Sequence, residues 1–99
     1  FERAVELCST NVAKIFGCDN KGSISVGKDA DIVIYDKDKD FTISVDNMHS
    51  DLDHTIWEGK QLHGYPIRTY LRGNVVYDNG DFVGTPGLGE YVKRSPRKH

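Results

Sequence analysis

Cysteine, methionine and tryptophan are nearly missing from this chain: of 99 residues, two are cysteine, one is methionine and one is tryptophan. Cys8 and Cys18 match no disulfide framework. They read as two partly buried thiols of a reducing compartment, which makes the cytoplasm the expected location. A surplus of basic charge is missing too. Thirteen lysines and arginines face fifteen aspartates and glutamates, a net charge of -2, which is not the strongly basic profile of a nucleic-acid binder. No apolar run reaches the length of a membrane span, and the opening residues do not read as a leader. Neither nucleic acid nor membrane is expected as a partner.

What is there is an ordinary globular balance, 37% hydrophobic and 28% charged, enough for one domain or a piece of one. The first residue is not methionine, and Phe1-Glu2-Arg3-Ala4 reads as the middle of a helix, so the chain is expected to continue a longer polypeptide. Phe1, Ala4, Val5 and Cys8 recur at helical spacing and predict a helix over 1–8. Asn11 reads as the cap of a second short helix carrying Val12, Ile15 and Phe16, with Gly17 as its terminator.

Everything after Gly17 reads as β. Within Asp29 to Asp36, Ile32-Val33-Ile34-Tyr35 is apolar on both faces and needs cover on both. Asp36-Lys37-Asp38-Lys39-Asp40 reads as a solvated turn, and Phe41 to Val45 as a second strand with one wet face. Residues 46–64 read as irregular, with at most a short strand at Thr55 to Glu58. Ile67 to Arg72 and Asn74 to Asp78 form two strands joined at Arg72-Gly73-Asn74. Asp78-Asn79-Gly80-Asp81 carries the Asn-Gly pair of a tight hairpin, returning at Phe82-Val83. Lys93 to His99 reads as a basic, mobile tail.

No catalytic constellation emerges from these residues. His49-Ser50-Asp51-Leu52-Asp53-His54 has metal-ligating side chains but not the spacing of a helical ligand pair, and His63 stands alone. Structural histidines and turn-capping aspartates are the reading adopted. The serines lack nucleophile-elbow glycines, and Cys8 sits in an apolar stripe that disfavours its thiolate. Gly84, Gly87 and Gly89 do not open a helix after a strand, so they are not a phosphate loop. No residue is therefore assigned a catalytic, cofactor-binding or metal-binding role.

Read together, the motifs carry a resemblance. Ser9 to Gly17, followed by Lys21-Gly22-Ser23-Ile24-Ser25-Val26-Gly27-Lys28-Asp29-Ala30-Asp31-Ile32-Val33-Ile34, resembles the end of an amidohydrolase chain. His49-Ser50, Asp53, Glu58-Gly59, Gly64-Tyr65-Pro66, Arg72-Gly73, Val75-Val76, Phe82-Val83-Gly84 and Pro86-Gly87 are similar to the dihydropyrimidinase/hydantoinase branch. Val12 and Lys37 stand where that branch often has proline.

The resemblance implies a fold that is mainly β with N-terminal helices. It would be the C-terminal half of a small β-sandwich, plus the last helical segment beside a (β/α) barrel. Residues 1–17 would adjoin the barrel, 18–92 would form the sandwich segment and 93–99 the tail. It also implies a parent enzyme that opens hydantoin or dihydropyrimidine rings with two divalent metal ions, expected to be zinc, on barrel strands outside this chain. The partners implied are that barrel, the remaining sandwich strands and further copies in a homo-oligomer. A non-catalytic, oligomeric dihydropyrimidinase-related protein is the alternative the same resemblance leaves open. By itself, the 99-residue chain is expected to be inactive.

Overall fold

The front of the chain does build helix, but as one unbroken run. In the computed structural model, which describes residues 1–96, α1 (Glu2–Val5) passes through a wide π turn (Glu6–Thr10) into α2 (Asn11–Phe16). Asn11 is therefore not a cap. Its backbone is already helical, and nothing breaks the helix before it, because the π turn absorbs the polar Ser9-Thr10 pair. The Thr10 hydroxyl donates instead to Gly22 O at 2.9 Å, fastening the following loop to the helix. Gly17 terminates the run as expected. Its left-handed backbone lets Cys18 N–H reach back to Ala13 O at 2.8 Å.

Four antiparallel strands follow, in the spatial order β1-β2-β3-β4: β1 (Ile32–Thr42), β2 (Gln61–Leu71), β3 (Asn74–Asp78) and β4 (Asp81–Phe82). Three sequence expectations are corrected here. The charged stretch Asp36 to Asp40 is no turn, because β1 runs straight through it. Its pairing partner moves only from Tyr65 to His63, so the surplus residues form a bulge. Phe41 and Thr42 end that same strand instead of opening another, and Val45 begins a 3-10 turn capped by Ser44. The stretch 46–64 holds no strand at Thr55 to Glu58. It holds the first residues of β2 instead, starting at Gln61.

Glycine concealed that start. Gly64 suggests a loop, yet it lies inside β2, where a Cβ would fall 2.6 Å from the Tyr35 hydroxyl. The residue is needed for close approach of the Tyr35 ring. Pro66, which cannot donate to the ladder, pairs with Tyr35 beside a second irregularity, where Ile67 is the extra residue. The Ile67 carbonyl faces β3, accepting Asn79 N–H at 2.8 Å.

The hairpins form where the sequence places them. Arg72 and Gly73 take φ of 46° and 83°, and Asn79 and Gly80 take 48° and 95°, the left-handed pairs of tight type I′ turns. Of the expected tail, residues 97–99 lie outside the described residues. Before them, Ser95 N–H donates to Gly17 O at 2.8 Å and its hydroxyl to Asp19 Oδ2.

Little of this sheet is covered. Among the described residues, Ala13 is the only buried hydrophobic side chain. Accessible surface totals 7997 Å², against about 5,700 Å² for a compact monomer of this mass. The radius of gyration is 15.7 Å, where a compact chain of this length would give about 13 Å.

The second hairpin makes a direct test. A side chain at Gly80 would meet no atom within 4 Å, so substitution there probes backbone conformation alone. Gly80→Val should lower stability by about 1 kcal/mol or more, the cost of left-handed backbone for a residue with a Cβ. Gly80→Asn should cost visibly less in urea unfolding. Equal midpoints for all three proteins would contradict the turn assignment.

Candidate functional site

The loop between α2 and β1 is held to the β2–β3 hairpin by a charged clamp. Lys21 Nζ lies 2.9 Å from Asp29 Oδ2 and also donates to Asp31 Oδ2. The other Asp31 oxygen accepts the Arg72 backbone N–H at 2.9 Å, while Gly73 N–H bonds Ala30 O at 3.0 Å. The Arg72 guanidinium then reaches Leu88 O and lies 3.6 Å from Glu90. The type I′ turn makes this possible, because it aims the Arg72 N–H at the residue preceding β1. Lys21 and Asp31 side chains retain only 20% and 32% of their exposure.

Each of those groups shifts the other. The hydrogen bond from Lys21 holds the Asp31 carboxyl below its ordinary value, against the opposing effect of burial and with help from the Arg72 N–H. Hydrogen bonds to Asp31 and then Asp29 raise Lys21 above its own. Sequence reading gave Asp29 and Asp31 no role ahead of the strand and missed the clamp. The available signal was a pair of acids just before a buried-type strand, combined with a later Arg-Gly turn.

The histidines are kept apart. His49 Nε2 donates to Gly80 O at 3.1 Å, with its ring edge-on to Tyr77 at 5.8 Å. His54 Nδ1 lies 2.9 Å from its neighbour Asp53, and His63 Nδ1 2.8 Å from Asp40, across the β1 bulge. Among the described residues, no group of three His, Cys, Asp or Glu side chains converges where it could hold a metal ion. The donors present do not fit the two-metal set that the resemblance implies, since each ring is engaged separately by a different strand or loop.

Apolar surface is the chain's most extensive feature. Ile24 and Val26, on the loop before β1, are 84% and 106% exposed, and Val33, Ile34 and Tyr35 follow them on the strand. Phe1 packs edge-to-face on Tyr35 at 5.4 Å, leaving most of its ring in solvent. Val45, Met48, Leu52, Ile56 and Trp57 line an open hollow of about 350 Å³ on the 45–57 segment. Exposure of so many large apolar side chains is the pattern of surface covered by a neighbour. No described helix is long and apolar enough to cross a membrane.

The described residues thus form a four-stranded antiparallel sheet behind one short helical run, with large apolar side chains left exposed. The chain belongs to the amidohydrolase family, whose model matches residues 1–77. It is 42% identical over 95 residues to a D-hydantoinase of Ralstonia pickettii, covering 95% of this chain and 21% of that protein. To a dihydropyrimidinase of Rattus norvegicus it is 46% identical over 95 residues, covering 95% and 18%. The crystal structure of dihydropyrimidinase from Brevibacillus agri matches with a TM-score of 0.90 at 47% identity, over 96% of this chain and 21% of that one. An L-hydantoinase from Arthrobacter aurescens gives 0.90 at 35% identity, over 95% and 21%. The chain thus spans about a fifth of the length of the relatives it matches.

The clamp predicts an acid limb of instability. Because the folded Asp31 value lies below its ordinary 3.8, its contribution is complete above that value and is lost as pH falls through the lower folded one. Lys21 behaves oppositely, contributing fully below 10.5 and losing its contribution as pH rises through its raised value. Urea midpoints measured from neutral to acid pH should fall less steeply in Asp31→Asn than in the wild type. Parallel acid limbs would show that the clamp does not couple protonation to folding.

Proposed function

We propose that this chain is the C-terminal scaffold of a cyclic-amide hydrolase that opens hydantoin or dihydropyrimidine rings. The observation that carries the reading is the pairing of near-complete structural likeness with missing cover. A match at TM-score 0.90 over 96% of the chain coincides with a sheet whose apolar residues face solvent. In this reading residues 1–17 pack on a barrel, 18–92 complete a small sandwich and 93–99 form a tail. The metal ions and the groups that work on the ring belong to the rest of the polypeptide, in a cytoplasmic homo-oligomer. The chain's own residues position elements: the Lys21–Asp31–Arg72 clamp fixes the loop carrying Ile24 and Val26, so that its apolar side chains present a rigid docking face. The relatives named above bear enzyme names, which leaves the non-catalytic reading without an observation of its own.

A chimaera tests this. The matching segment of the Ralstonia pickettii D-hydantoinase is replaced by the present 99 residues, and hydantoin hydrolysis is assayed beside that of the isolated chain. Ring opening by the chimaera and none by the isolated chain is expected. A soluble, folded chimaera without activity, or an isolated chain that hydrolyses hydantoin, would overturn the proposal.

A further inference from the structure

We infer that Asn79 is a site of self-modification, where deamidation of the second hairpin turn is restrained by His49. Of the five asparagines, Asn11, Asn20, Asn47, Asn74 and Asn79, only the last precedes glycine. The following residue decides how easily the next backbone nitrogen can reach the side-chain carbonyl, and glycine offers it no obstruction. Both turn residues are exposed, and a Cβ at Gly80 would meet no heavy atom within 4 Å.

The chemistry balances with water alone. The Gly80 amide nitrogen attacks Asn79 Cγ, forming a C–N bond and giving up its proton to solvent, while the side-chain nitrogen leaves as ammonia. Water then opens the five-membered imide. Attack at the side-chain carbonyl gives aspartate, and attack at the main-chain carbonyl gives isoaspartate, whose backbone is one carbon longer.

The folded turn opposes the first step. Asn79 is held at φ 48° with its N–H on Ile67 O at 2.8 Å, so the torsional change that brings the Gly80 nitrogen onto Cγ works against that bond. Ring closure must therefore wait for the turn to open, a local event whose cost depends on nearby contacts. Those are few. β4 pairs with β3 at two positions, Tyr77 with Phe82 and Asp78 with Asp81, followed by the Val83 N–H bond to Val76 O. His49 supplies the remaining restraint, donating Nε2–H to Gly80 O at 3.1 Å while its ring rests against Tyr77. A carbonyl can only accept, so this bond fixes the proton on Nε2. The histidine that sequence reading treated as structural thus acts as a latch on the turn.

Isoaspartate would then end the hairpin. A two-residue turn has no place for an additional backbone carbon, so β4 and the Gly80 contact to His49 would be lost together, whereas ordinary aspartate fits left-handed backbone.

The purified chain and its His49→Ala variant are incubated at mildly alkaline pH, then mapped by peptide mass spectrometry and isoaspartyl methyltransferase labelling. Circular dichroism confirms an equal sheet signal in both at the start. Isoaspartate is expected at position 79 ahead of the other four asparagines. Its rate should be roughly two- to tenfold higher in His49→Ala, the factor one net hydrogen bond contributes to an opening equilibrium. Asn79→Asp, made genetically, should keep the Tyr77–Phe82 cross-strand contact in NMR spectra, and the isoaspartate product should lose it. Asn79 outlasting the other asparagines, or an unchanged rate in His49→Ala, would overturn the inference.

Discussion

The pairing of β1 with β2 is the constraint on which the rest depends. Each strand is eleven residues long, and their ladder is the longest run of pairing between the two halves of the chain. Its irregularities follow from residue chemistry. Pro66 cannot donate and Gly64 yields space to Tyr35, so the register steps beside them. The Asp36–Asp40 bulge then accommodates five alternating charges without breaking the ribbon. Phe41 stacks on Tyr65 with ring centroids 3.8 Å apart beyond the bulge, restoring apolar contact where pairing resumes.

That arrangement gives the edge strand two characters. Among the described residues β1 has no partner on its outer side. Over Asp36 to Asp40 the alternating charges discourage a second strand, a common protection of sheet edges. Over Ile32 to Tyr35 the same edge is apolar and invites one. The exposed Ile24 and Val26 lie on the loop leading into that end.

Much of this was legible in the sequence, for local reasons. Both Asn-Gly and Arg-Gly turns declare themselves because left-handed backbone is so restrictive of residue type. Gly17 was legible for the same reason. Ile32 to Tyr35 announced a strand needing two covers, and the missing cover is visible as exposure. The errors arose where long-range pairing overrode composition. Asp36 to Asp40 looks like a loop to any local rule, but a partner strand held in place on both sides carries it through. Gly64 has the same history, a loop residue by type and a strand residue because of one aromatic ring opposite. The Lys21–Asp31–Arg72 clamp joins residues far apart in sequence, so its only local signal was the pair of acids before the strand and the later Arg-Gly turn. Histidines and aspartates that cluster between 49 and 54 in sequence are dispersed by the turns around them.

The central claim is that this sheet was shaped to be covered by other parts of a larger protein. Each large apolar side chain left in water forgoes roughly 1.5–3 kcal/mol of burial, so the chain alone should be marginal and should seek cover. Sedimentation velocity across a concentration series, paired with thermal unfolding, measures this directly. The account predicts an average mass that rises with concentration and a broad transition at low temperature. A strictly monomeric species with a sharp transition at high temperature would contradict it, because the chain would then be closing a core of its own.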